Sequence, residues 1–307
     1  MTSPTIDVEI REVGPRDGLQ NESPIPTDQK IALINGLNKT GHHRIEAVSF
    51  VHPKAIPQMA DADEVWGSVE KNPDVLYNAL VPNTRGLQRA IDAGFKEVNV
   101  VLSASDTHNR ANLNRSTDDS VAELKDLVAL AHDNGVFIEL VIATSFGCPF
   151  EGDTDPGRVA GIVDRGQEAG IDRIAFGDTT GMGTPRRVKD LLDAVDTDLP
   201  RLMHFHNTRG TALANILVSL DYGIRQFDAS VGGLGGCPYA PGATGNVATE
   251  EVVHMLHDMG LNTGIDLEEL LKVAANAEEM VKHELPSGVY KAGPRTRLVP
   301  ARDDLCS

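Results

Sequence analysis

The sequence predicts an α/β fold: a (β/α)8 TIM barrel with extra C-terminal helices. Two observations carry this and a third excludes the alternative. From residue 8 onward, short β-branched runs alternate with longer helix-like segments, and the alternation repeats eight times in roughly 260 residues. Alternation demands parallel pairing, because each strand needs a crossover to return in the same direction. A doubly wound open sheet usually has fewer strands, and no Gly-x-Gly-x-x-Gly follows the first strand here.

The elements are expected in this order. The first strand, residues 8–13 (Val-Glu-Ile-Arg-Glu-Val), is followed by a helix over 27–38 capped by Thr27 or Asp28. Strand two (44–48) leads to a helical stretch at 61–70, and strand three (75–81) to a helix at 84–93 stopped by Gly94. Strand four (97–102) precedes a helix over 117–134 stopped by Gly135. Strand five (136–142) precedes a helix over 155–169 stopped by Gly170, and strand six (173–176) a helix at 184–194 with a Thr-Pro start. Strand seven (201–205) leads to a helix at 211–222, and strand eight (226–229) to a glycine-rich loop and a helix at 249–259. A last helical pair is expected over 266–283, then an irregular tail. The chain reads as a single domain, 1–307, with the barrel at about 8–260 and a helical extension at about 261–290.

Composition is that of an ordinary globular protein, with 40% hydrophobic and 24% charged residues. Its 28 basic against 45 acidic side chains leave a net charge of −17, which argues against nucleic acid or an anionic membrane as partner but not against an anionic small molecule. Cys148, Cys237 and Cys306 are far apart and odd in number, so they form no disulfide framework. With no leader-like N-terminus and no apolar run of spanning length, the expectation is a cytoplasmic protein with reduced thiols.

In such barrels the active site lies at the C-terminal ends of the strands. Seven of the eight expected strands deliver a polar or ionisable group there. His204 and His206 share one side of strand seven, because residues i and i+2 of a strand point the same way, and two imidazoles suit a divalent metal. Asp17, after strand one, and Asn246, after strand eight, come from neighbouring strands and complete a metal set of Asp17, His204, His206 and Asn246. Nitrogen and oxygen donors without thiolate favour Mg²⁺ or Mn²⁺ ahead of Zn²⁺. Arg16, a fixed cation with a fork of donors, is placed to stabilise an enolate or thioester oxygen, with Glu46 orienting it. Asp178 is placed to position a hydroxyl or shuttle a proton. Cys148 reads as structural, and His42 and His43, after the first helix, read as surface residues.

Residues 232–246 hold six glycines and two prolines around Cys237, too many for a regular helix or central strand. A thiol at the centre of such a loop reads as a catalytic lid over the rim, since an ordinary thiol pKa of about 8.5 lies close enough to neutrality to exchange protons.

These motifs resemble a known family. Val13-Gly-Pro-Arg-Asp-Gly-Leu-Gln-Asn-Glu22, His52-Pro-Lys-Ala-Ile-Pro-Gln-Met-Ala-Asp61, Gly177-Asp-Thr-Thr-Gly-Met-Gly-Thr-Pro185, His204-Phe-His-Asn207 and Gly233-Leu-Gly-Gly-Cys-Pro-Tyr239 are similar to the 3-hydroxy-3-methylglutaryl-CoA lyase family of metallolyase barrels. The resemblance implies an acyl-CoA substrate and metal-dependent retro-Claisen cleavage to acetoacetate and acetyl-CoA, with leucine breakdown as one pathway it would serve. It implies metal binding by Asp17, His204, His206 and Asn246, enolate stabilisation by Arg16 supported by Glu46, and proton transfer by Cys237 with help from Asp178. A homo-oligomer, dimer or tetramer, is expected. Related 3-hydroxyacyl-CoAs such as citramalyl-CoA, and condensation in the synthase direction, are the alternatives. The glycine loop with its cysteine speaks against condensation. Three departures bear on the acyl group: Ser23 where the family carries lysine, Glu139 where arginine is common, and Arg209 in place of tyrosine.

Overall fold

A computed structural model describes residues 5–235 and 245–298. Cys237 and Cys306 lie outside the described residues, so the lid assignment rests on sequence alone.

Eight parallel strands close into a barrel in chain order, each hydrogen-bonded to the next and β8 to β1. They are β1 (Glu9–Glu12), β2 (Arg44–Ser49), β3 (Leu76–Val81), β4 (Glu97–Ser103), β5 (Phe137–Ala143), β6 (Arg173–Asp178), β7 (Arg201–Phe205) and β8 (Gln226–Ala229). The helices are α1 (Thr27–Leu37), α2 (Ala62–Ser68), α3 (Thr84–Asp92), α4 (Asp106–Leu113), α5 (Thr117–Asp133), α6 (Pro156–Ala169), α7 (Pro185–Ala194), α8 (Ala212–Asp221), α9 (Thr249–Asp258), α10 (Leu267–Val281) and α11 (Gly288–Ala292). The barrel and every expected strand are present. None of the described helices is long and apolar enough to cross a membrane.

Three expectations change. α4 was not anticipated; Ser105 caps it by accepting the His108 N–H, a serine N-cap legible in Ser105-Asp-Thr-His108. The expected terminal pair is one continuous helix, α10, followed by the separate short α11. His42 is buried rather than superficial, because it packs between Thr40, with Nδ1 2.5 Å from Oγ1, and the buried Glu12, with Nε2 3.7 Å from Oε2; His43 is exposed as expected.

The outer faces of the strands pack against the helices through Val, Ile, Leu and Phe side chains. The bore is different. A barrel of this type is usually filled by branched aliphatic layers, but here charged and amide side chains bond one another across the interior. Arg11 of β1 reaches Glu139 of β5, on the far side, at 2.8 Å. Glu139 also pairs with Arg173, Arg173 with Glu97, Glu97 with Arg44, and Arg44 with Glu9 at 2.6 Å. Inward positions on β1, β2, β4, β5 and β6 are therefore occupied by ions, each paired with one or two of opposite sign.

Candidate active site

β1 ends by feeding a single π-helical turn, Gly14–Gly18, in which the Val13 carbonyl collects the N–H groups of Arg16, Asp17 and Gly18. Such wide turns recur at functional sites because they crowd side chains that an α-turn would spread. Arg16 and Asp17 are thereby both buried at the rim, with Arg16 Nη1 2.6 Å from Asp17 Oδ1. Gln20 Nε2 donates to the same oxygen at 2.9 Å. Gly14 sits so close to Glu12 Oε1 and Val231 that a β-carbon would collide with both.

β7 presents His204 and His206 beside this turn. Their Nε2 atoms are 3.1 Å apart and lie 4.0 and 3.9 Å from Asp17 Oδ2. The ligand atoms of Asp17, His204 and His206 all fall within 4.8 Å of one another, a spacing that one cation bridges. Asn246 joins them from the return of the glycine-rich segment: its Nδ2 donates to Asp17 Oδ2 at 2.7 Å and to Leu234 O at 3.0 Å, and its buried Oδ1 has no hydrogen-bond partner. An orphaned carbonyl oxygen beside a carboxylate and two imidazoles is the donor set a hard or borderline divalent cation takes, and the residues present fit one.

Backbone pairing fixes Asn246 there. His206 and Asn246 form an antiparallel bridge, Asn207 N donates to Gly245 O, and Val247 N donates to Phe205 O. At the other foot, Gly235 has φ +108° and stands against Asn246 Nδ2, so a side chain there would strike the amide. The two feet, Gly235 and Gly245, abut each other.

The electrostatics follow from this crowding. Burial raises the Asp17 carboxyl, but Arg16, the two histidines and Asn246 outweigh it and hold the pKa at about 2. Burial and the neighbouring His204 push His206 down to about 4. His204 resists burial and is raised, because its Nδ1 lies 2.9 Å from Asp228. Burial lifts Asp178 to about 6, against the opposing N–H bonds of Gly183 and Met182 to Oδ1; its Oδ2 is buried without a partner.

The expected residues thus divide. Asp17, His204, His206, Asn246 and Arg16 converge, and Glu46 accepts from Arg16 Nη2 at 2.8 Å. Asp178, at the end of the adjoining β6, braces its own loop through one oxygen and leaves the other unpaired. Cys148 is buried, its Sγ 3.0 Å from Ser105 Oγ, and is structural as expected. Glu139 is 0% exposed and held between Arg11 and Arg173, so this departure belongs to the ion pairs of the bore rather than to acyl recognition. Arg209 spends Nη1 on Thr180 O and Gly181 O, stapling the loop after β7 to the loop after β6. Sequence reasoning missed Asn99, which donates to Glu46 Oε1 at 2.9 Å, and the Arg11–Asp228 pair behind His204. The register pairs His204 with Asp228 directly across β7 and β8, but that signal exists only once the strands are paired.

The fold and this cluster define a (β/α)8 barrel with a candidate divalent-cation site at its carboxyl-terminal rim, flanked by an arginine. The chain belongs to the HMGL-like family, whose model matches residues 7–276. It is 46% identical over 284 residues to the hydroxymethylglutaryl-CoA lyase of Bacillus subtilis, covering 91% of this chain and 95% of that one. It is 45% identical over 289 residues to the mitochondrial hydroxymethylglutaryl-CoA lyase of Bos taurus, covering 93% and 89%. The solved structure of an HMG-CoA lyase from Acinetobacter baumannii, in complex with coenzyme A and 3-methylmalate, superposes with a TM-score of 0.91 at 42% identity, covering 98% of this chain and 100% of that chain.

Proposed function

We propose that the protein is a carbon–carbon lyase that cleaves 3-hydroxy-3-methylglutaryl-CoA to acetoacetate and acetyl-CoA in a metal-dependent retro-Claisen reaction. The observation that carries this is the convergence of Asp17, His204 and His206 beside Arg16, in a chain that shares nearly half its residues with hydroxymethylglutaryl-CoA lyases. Asp17, His204, His206 and Asn246 would hold the cation, Mg²⁺ or Mn²⁺ in keeping with a set that lacks thiolate. When bound, it supplies Lewis acidity toward the substrate's oxygens.

The chain's own residues supply the rest. Asp178, with a pKa of about 6 and an unpaired Oδ2, is suited to take the proton of the tertiary hydroxyl near neutral pH. As the C–C bond breaks, negative charge develops on the thioester oxygen of the departing acetyl-CoA, and Arg16 stabilises it. Glu46, fixed by Asn99, aims the guanidinium. Cys237 returns a proton to the enolate carbon. Burial of Arg16 and Asp17 strengthens these interactions by excluding water. A single-domain chain, a homo-oligomeric state and cytoplasmic residence complete the proposal, supported by composition and by the family resemblance.

The test is acetyl-CoA release from a panel of acyl-CoA thioesters that includes citramalyl-CoA, with Mg²⁺ and with chelator. Metal-dependent release from 3-hydroxy-3-methylglutaryl-CoA above the others is expected; no metal-dependent release from any thioester would overturn the reading. In the same assay Cys237→Ala lowers turnover by orders of magnitude while metal binding persists.

A further inference from the structure

His204 and His206 lie two residues apart on one strand, yet their rings are held differently. Nδ1 of His204 is 2.9 Å from Asp228 Oδ2, and an ionised carboxylate only accepts. Nδ1 therefore carries a ring hydrogen, and Nε2 is the ring atom that faces His206 and Asp17. Nδ1 of His206 is buried with no partner. The two Nε2 atoms are 3.1 Å apart, so one of them donates to the other.

Asp228 is itself clamped. Arg11 grips it as a fork, Nε to Oδ1 at 2.7 Å and Nη2 to Oδ2 at 2.9 Å, and the remaining Arg11 nitrogen is committed to Glu139 Oε1 at 2.8 Å. Turning Asp228 away from His204 would break charge-assisted bonds inside the barrel, where no water replaces them; Arg11 and Asp228 are 1% and 4% exposed.

We propose that Asp228, held by Arg11, is a positioning residue that keeps the His204 ring hydrogen on Nδ1 and so presents His204 Nε2 to a divalent cation. The inference rests on the metal reading above. For both Nε2 atoms to face one cation, each ring carries its hydrogen on Nδ1; at His204 the Asp228 bond holds it there, and at His206 no neighbouring bond does. Carboxylate–histidine pairs of this kind fix ring orientation and raise ligand basicity. In this chain the carboxylate is shared with an arginine, so the bore of the barrel and the metal ligands form one connected hydrogen-bonded unit.

The experiment is long-range ¹H–¹⁵N correlation on histidine-labelled full-length protein, with the two rings assigned through His204→Ala and His206→Ala. In wild type, His204 is expected to carry Nδ1–H both without metal and with Mg²⁺, while Mg²⁺ shifts its Nε2 resonance. In parallel, Mn²⁺ affinity is read from the free-ion EPR signal. Asp228→Asn should weaken it roughly tenfold to a hundredfold, and Asp228→Glu should recover part of the loss. An Nε2–H tautomer at His204 in the metal-free protein overturns the proposal, as does a folded Asp228→Asn that binds Mn²⁺ like wild type. If Asp228→Asn does not fold, the wild-type ring signals decide alone. If Mg²⁺ moves neither ring, the metal reading fails, while the metal-free spectrum still tests the clamp.

Discussion

Replacing Glu139 by Gln tests whether the ion pairs of the bore are structural. The carboxylate is fully buried and accepts from Arg11 Nη1 at 2.8 Å through Oε1 and from Arg173 Nε through Oε2. Glutamine keeps one acceptor for one arginine and turns an NH₂ group against the other, so one charge-assisted bond becomes a donor–donor contact. Losing such a bond costs about 1.5–3 kcal/mol. The full penalty for orphaning a buried charge, about 3–5 kcal/mol, does not apply, because Arg11 retains Asp228 and Arg173 retains Glu97. The net expectation is a loss of about 2–4 kcal/mol in urea unfolding, with an unchanged m-value and, in the folded fraction, an unchanged KM for the acyl-CoA substrate. A loss below about 1 kcal/mol would refute the reasoning. So would unchanged stability with a raised KM, which would place Glu139 against substrate.

Glu12 and Glu250 supply a pH test. Burial lifts them to about 7 and about 8 from an ordinary 4.5, against opposing hydrogen bonds from Thr249, Val231 and Gly14 to Glu12 and from Gly232 to Glu250. The folded protein keeps these protons after the unfolded chain has lost them. Their stabilisation is therefore complete below about pH 4.5 and is lost as pH rises through 7 and 8, at up to roughly 1.4 kcal/mol per pH unit for each group. Glu250→Gln should flatten the fall of the urea midpoint between about pH 4.5 and about pH 8; an unchanged slope would mean that the carboxyl is ionised in the folded state. Glu46→Gln weakens the partner of Arg16 Nη2, and kcat is expected to fall roughly tenfold to a hundredfold with Mn²⁺ affinity retained; a wild-type kcat would dismiss Glu46 as the residue that aims Arg16.

The barrel was legible because each strand–helix junction carries its own punctuation, such as the glycines that end α3 and α6 and the Thr-Pro that opens α7. The rim was legible for a related reason: residues just beyond a strand must point at the barrel mouth, so Arg16, Asp17 and the His204–His206 pair could be placed by counting. The bore was not. Glu9, Arg11 and Glu97 alternate with apolar neighbours just as a strand with one solvated face would, and only closure of the sheet shows that the polar side faces inward. Asp228 and Asn99 were missed because their partners, His204 and Glu46, are 24 and 53 residues away and meet them through inter-strand register and barrel curvature. Glu139 was read against the family as a lost cation, whereas its meaning lies in arginines contributed by β1 and β6.

The abutting feet at Gly235 and Gly245 also bear on how such a site can be re-engineered. Since the ends of the excursion between them meet and are pinned to Asp17 and to the end of β7, its length is decoupled from the frame that aims the ligands. Doubling a loop whose ends are already joined adds only about 0.6 kcal/mol of closure entropy. The sequence between residues 235 and 245 can therefore change in length without disturbing the ligands, provided both anchoring glycines, Cys237 and Asn246 are kept.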